Sequence, residues 1–162
     1  MPDIKLMAGG AVLAGAAFWF FIKPNYLDAP AEPPVYTEEE LSAAPRPTVT
    51  LEERVLNLKS SAQSPHYVKV QIAFEFADPE RKWVGLSGEA LVAKNEAFTK
   101  EMEGELYRVW DVVTTVIGSK TVDQASDPDG RALLKDELRD AVNAQIHEGE
   151  VETVYFVTFV TQ

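Results

Sequence analysis

The chain has 162 residues, with 26 acidic against 15 basic side chains and a formal net charge of −11. It contains no cysteine, which excludes a disulfide framework and a lipid-modified amino-terminal cysteine. The acidic balance repels a phosphate backbone, so nucleic acid is excluded as a partner.

Residues 6–22 form an unbroken apolar run. At about 1.5 Å of rise per residue it covers roughly 26 Å, close to the roughly 30 Å hydrocarbon core of a bilayer. Lys5 and Lys23 flank the run and can reach toward headgroups. Phe18, Trp19, Phe20 and Phe21 crowd its far end as an interfacial aromatic belt. Gly10 with Ala14, and Ala11 with Gly15, place small residues four apart, a spacing that lets membrane helices pack closely. Ordinary membrane-helix composition supplies such residues equally well. A cleavable signal peptide competes with the anchor reading. Against it, the run ends in bulky rings, and the nearest small-x-small site, Ala29 to Ala31, carries Pro30 in its middle. Residues 1–5 are expected to be a cytoplasmic tail and residues 6–22 a single-pass anchor in the inner membrane, with the rest outside. The two basic and five acidic side chains of residues 23–47 set that orientation.

Six of the ten prolines fall within residues 23–47. Such a composition buries too little apolar surface to offset ordering entropy, so this segment reads as an extended, acidic linker. Thr37, Glu38, Glu39, Glu40 and Leu41 have the makings of one helical turn, but the charge run reads first as solvated linker.

Residues 48–162 hold 12 basic and 20 acidic side chains, a net charge of −8, and are expected to fold as one domain without staples. Residues 48–58 read as extended, and residues 60–65 as a turn leading into a half-buried strand over residues 67–76. There Val68, Val70, Ile72, Phe74 and Phe76 alternate with Lys69, Gln71, Ala73 and Glu75. A hairpin is expected. From residue 87 to 118 the period changes to 3.6, with Leu91, Val92, Phe98, Met102, Leu106, Trp110, Val113, Val116 and Ile117 on one side. This is one long helix, or two broken near Gly104. Residues 123–130 stop the pattern, and a helix then starts with Asp127 as N-cap and Pro128 at its first position. Its buried stripe is Leu134, Leu138, Ala141, Val142, Gln145 and Ile146. The last eleven residues, apolar on both faces, read as a central strand with both faces covered. The expected class is α+β, with helices packed on a small, mainly antiparallel sheet behind a single N-terminal transmembrane helix.

Candidate chemistry is sparse. His66 stands at a strand entrance, and His147 at a helix end, where the macrodipole explains it. Glu101 with Glu105, and Asp136 with Asp140, lie four apart on helices, which fits two carboxylates on one ion but more often marks solvated helix faces. Asp127, Asp129 and Gly130 resemble a calcium loop, yet the twelfth position is Leu138 where a bidentate Glu is needed, so the helix cap is preferred. Gly85 and Gly88 make no phosphate cradle. No cofactor, metal or catalytic residue is expected.

The order of these parts resembles the FliL family of bacterial flagellar basal-body-associated proteins. Leu56, Asn57 and Leu58 look like the family's asparagine-leucine strand. The stretch from Arg108, Val109, Trp110 and Asp111 through Gly118, Ser119, Lys120 and Thr121 is similar to its helix ending in a serine-lysine-threonine turn. Gly130, Leu134, Leu138 and Asn143 fall as in its last helix, and Val154, Tyr155 and Phe156 as in its closing strand. The cytoplasmic tail is shorter and less basic than is usual there, and residues 77–103 fit no pattern of the family. The resemblance implies a non-enzymatic accessory protein of the flagellar motor. It also implies a periplasmic domain of the stomatin and prohibitin (SPFH-like) type, assembling as a homo-oligomeric ring around the stator units and supporting torque generation. The rival readings are a membrane-anchored enzyme working through two carboxylates, as in glycoside hydrolysis, and a ligand-binding module released after Ala31.

Overall fold

The computed structural model describes residues 34–61 and 63–162. The anchor run, its small-residue face at Gly10, Ala11, Ala14 and Gly15, its aromatic belt and residues 23–33 of the linker lie outside the described residues. Among the described residues no helix is long and apolar enough to cross a membrane.

The domain is α+β. A short helix, α1 (Glu38–Ala43), precedes strands β1 (Thr48–Thr50), β2 (Arg54–Asn57) and β3 (Tyr67–Phe76). Then come helices α2 (Gly88–Glu101), α3 (Leu106–Gly118), α4 (Val122–Ser126) and α5 (Pro128–Asn143), and the closing strand β4 (Val151–Thr161). Among the described residues all pairing between strands is antiparallel and runs through β3. On one side of β3, β1 lies against its C-terminal end and β2 against its N-terminal end, and on the other side β4 runs its full length.

The alternation of β3 decides the layout. Val68, Val70, Ile72, Phe74 and Phe76 are all buried on one face, as expected. Against them α3 lays Val109, Val113, Val116 and Ile117, and α5 lays Leu134, Leu138 and Val142, in one apolar core. The other face of the sheet is largely solvated, which the antiparallel arrangement permits.

Several expectations are corrected. The segment over residues 48–58 is two short strands interrupted at Leu51–Glu53, both on the same edge of β3, although the β2–β3 hairpin stands. The helical block does break near Gly104, through a 3₁₀ turn over Met102–Gly104. In it Val92 is exposed while Val109 and Val112 are buried: α2 buries none of its residues fully, whereas α3 turns a broader apolar face to the sheet. Helix α5 ends at Asn143, so Gln145 lies beyond it and is exposed. His147 follows four residues later and faces Glu105 rather than the helix end. Most consequentially, β4 is an edge strand: among the described residues it pairs only with β3, and Tyr155, Val157 and Val160 are exposed.

Two short helices replace expected coil, and both carry capping boxes. Thr121 caps α4 with Gln124, and Thr37 caps α1 with Glu40. In the second, the Thr37 N–H donates to the Glu40 carboxylate at 2.8 Å and the Glu40 N–H to the Thr37 hydroxyl at 3.2 Å. The backbone N–H of Thr37, then its hydroxyl, holds the Glu40 carboxyl below its ordinary value of 4.5. A depressed folded value means the box contributes above the ordinary carboxylate range and is lost as pH falls through the folded value. A carbon-13 titration is expected to place the Glu40 midpoint below 4.5, with the Thr37 amide shift following the same curve. A higher midpoint would contradict the box.

Residues 77–87 make a turn that holds its own plug. The Asp78 carboxylate accepts from the N–H groups of Lys82 (2.9 Å) and Trp83 (2.7 Å). Trp83 is thereby buried edge-on against Phe98, which in turn meets Phe76 at 5.1 Å between ring centroids. A loop residue packed on α2 thus closes one end of the core.

Candidate interaction surface

Three of the four paired carboxylates, Glu105, Asp136 and Asp140, face basic side chains. Asp136 and Asp140 both grip the Arg139 guanidinium, at 3.0 and 2.9 Å, and this pairing raises the Arg139 pKa, Asp140 contributing most. Glu105 stands 3.3 Å from Arg108 Nε and 3.4 Å from His147 Nδ1. Asp127 accepts from the Gly130 N–H at 3.0 Å, the geometry of a helix cap. Among the described residues no three His, Asp or Glu side chains converge as metal ligands.

Part of the set quoted for the family resemblance, Asn57 with Gly118 to Thr121, adjoins in space. Asn57 ends β2, and its carbonyl lies 3.6 Å from where a Cβ on Gly118 would stand. The Lys59 N–H donates to the Lys120 carbonyl at 2.8 Å, the Ser119 hydroxyl closes onto the Val116 carbonyl at 2.7 Å, and Lys120 pairs with Glu137. Thr121 then caps α4. Gly130 sits against the Gln124 carbonyl, so tightly that a Cβ there would stand 2.1 Å from the oxygen. Arg131 fastens the same corner, donating to the carbonyls of Ala125 and Ser126 at 3.1 Å each.

Asn143 acts as a clamp. Its amide donates to the Val151 carbonyl at 2.9 Å and accepts from the Val151 N–H at 2.7 Å, imitating a neighbouring strand for one residue. Asn95, on α2, does the same for Thr48 of β1, at 2.9 Å for both bonds. The two clamps close the two edges of the sheet at the same end, where Thr48 lies across from Glu75 and Val151 from Phe76. Sequence reasoning gave Asn143 no stated role and missed Asn95; an asparagine inside a helix is a weak signal by itself.

Three hollows lie along these edges. One of about 470 Å³ separates β1 from α2, floored by Leu91, Val92 and Asn95. A second, of about 330 Å³, opens where β1 gives way to β2, between Leu106, Tyr107 and Trp110, with Arg54 stacked 3.9 Å over the Trp110 ring. A third, of about 270 Å³, runs between α5 and β4, bounded by Ala132, Lys135, Val154 and Tyr155. None is lined by Glu101, Glu105 or Asp111. Tyr155 is exposed, while Phe156 turns inward to Phe159, with centroids 4.5 Å apart.

Residues 48–162 match the model of a family described as flagellar basal body-associated protein FliL. The chain belongs to the FliL family. It is 33% identical over 86 residues to the flagellar protein FliL of Aquifex aeolicus, an alignment covering 53% of each chain. It is also 33% identical over 63 residues to the flagellar protein FliL of Bacillus subtilis, covering 39% of this chain and 45% of that one. The chain thus spans about half the length of the FliL relatives it matches. The matched family region begins at β1 and runs through β4, so every strand of the sheet and the Asn143 clamp lie inside it.

Proposed function

We propose that this chain is a non-enzymatic accessory protein of the bacterial flagellar motor. The family match over residues 48–162 carries the reading. Residues 6–22 anchor it in the inner membrane with residues 1–5 in the cytoplasm, and residues 23–47 connect the anchor to a periplasmic domain at the flagellar basal body. The domain, of the stomatin and prohibitin type, joins copies of itself into a ring that surrounds and supports the stator units during swimming or swarming. The way polar groups are used supports a scaffold: the Asp136 and Asp140 carboxylates hold Arg139, and the asparagine amides hold strands.

A ring requires two unlike surfaces to meet. Residues 88–117 together with the β1–β2 edge form one of them, with Tyr107 exposed beside the Trp110 hollow. Deleting the gene is expected to reduce swimming or swarming under high load, and a fluorescent fusion is expected to form foci at flagellar bases. Full motility at every load together with diffuse membrane fluorescence would overturn the reading.

A further inference from the structure

We infer that β4 of one copy pairs antiparallel with β4 of a second copy, about a twofold axis at the Val157–Thr158 bond. The argument starts from where the backbone groups of β4 point. Tyr67 and Gln162 exchange both of their N–H to carbonyl bonds, at 2.9 and 2.8 Å. Antiparallel alternation therefore turns Val160 and Thr158 toward β3, and Phe159 and Thr161 away from it. Val157 is an extra residue, since Gln71 faces Thr158 while Ile72 faces Phe156, and such a bulge shifts the phase by one. Beyond it Tyr155 and Thr153 turn toward β3, and Phe156 and Val154 away. The opposite side of β3 agrees with this phase, because the Ile72 carbonyl accepts from Leu51 at 2.8 Å.

The outward groups of Val154, Phe156, Phe159 and Thr161 are consequently symmetric about the Val157–Thr158 bond. A twofold axis there sets Val154 opposite Thr161 of the second copy and Phe156 opposite its Phe159. Side chains match in the same register. On the open face, Tyr155 meets Val160 of the second copy, an aromatic and β-branched cross-strand pair, with the two side chains 46% and 48% exposed in one copy. On the inner face the Phe156–Phe159 contact at 4.5 Å continues across the seam. The bulge, which in other edge strands spoils pairing with a neighbour, lies on the axis and is therefore present in both strands at the same place.

Charge selects a second copy as the occupant. The domain carries −8, yet residues 153–162 contain no Asp, Glu, Lys, Arg or His, so the strand itself sets no formal charges against each other where two acidic domains meet. The Asn143 clamp on Val151 stops the added strand at one end. The other edge of the sheet offers only three- and four-residue strands, with Asn95 on Thr48. This pairing uses the edge opposite the one assigned to ring contacts and does not rest on the flagellar reading.

The absence of cysteine makes the test site-specific. Full-length Tyr155→Cys and Val160→Cys chains, purified separately in detergent, are mixed and oxidised. The mixture is expected to give a disulfide-linked dimer, and neither variant alone a comparable amount, because each residue faces the other across the axis. Adding Val157→Lys to both chains brings two ammonium groups together at the axis and is expected to lower the crosslinking rate about tenfold at low salt, with an unchanged circular dichroism spectrum. No dimer in the mixture, equal dimer from either variant alone, or a rate indifferent to Val157→Lys would each overturn the pairing. None of these outcomes bears on localisation at flagellar bases.

Discussion

Asn143→Leu is expected to lower the unfolding free energy by about 2–4 kcal/mol, although leucine is of similar size and favours helix more than asparagine does. The loss comes from Val151, which is only 1% exposed and whose N–H and carbonyl both depend on the Asn143 amide. Neither group can turn to water without displacing β4 from β3, so each carries the full cost of an unsatisfied buried group. Asn143→Asp separates the two bonds, since a carboxylate still accepts from the Val151 N–H but has nothing to donate to the carbonyl. It is expected to fall between wild type and Asn143→Leu at neutral pH. Chemical denaturation measures the stabilities, and hydrogen exchange at the Val151 amide reports the local opening. A loss below about 0.5 kcal/mol for Asn143→Leu would mean that the clamp is incidental.

Gly130→Ala is expected to destabilise by about 2–3 kcal/mol through crowding of a packed corner. In most helices the same change would gain close to 1 kcal/mol from propensity. Here the new Cβ would stand 2.1 Å from the Gln124 carbonyl oxygen and 3.0 Å from its carbon, and these are backbone atoms of a capped helix. Relief requires α4 to move away from α5, stretching the Arg131 bonds to Ala125 and Ser126. Ala125, fully buried beneath that corner, would be uncovered as well. Thermal unfolding tests this directly: an unchanged or raised midpoint for Gly130→Ala would show that the corner gives way freely.

How far the fold was legible follows from what periodicity reports. The alternation in β3 placed five core side chains on the correct face, and the Asp127–Pro128 pair located the start of α5. Both signals are local and agree with the tertiary packing. For β4 the apolarity on both faces was read correctly, but apolarity does not say which strands flank a strand. The sheet puts β3 in the middle and leaves Tyr155, Val157 and Val160 open, as suits a strand that meets something other than its own domain. The capping boxes of Thr37 with Glu40 and Thr121 with Gln124 went unread, the first inside a charge run that reads as solvated linker and the second beside residues 123–130, which read as the stop of the helical pattern. The clamps at Asn95 and Asn143 were beyond sequence reading, because each acts on a backbone residue fixed only by the packing of a helix beside an edge.

The position of β3 also governs when the domain can form. β1, β2 and β4 all pair with β3 and with no other strand among the described residues, and the β3–β4 ladder reaches as far as Tyr67 with Gln162. Closing so long a loop costs entropy before any ladder bond repays it, and topologies dominated by distant pairs fold on the slower, millisecond-to-second side of the two-state range. As the chain emerges one residue at a time, the hairpin of β2 and β3 is available early, while the second side of β3 waits for the final dozen residues. Until then an apolar strand stands half-partnered, so the nascent domain needs either quick completion or a chaperone at that edge.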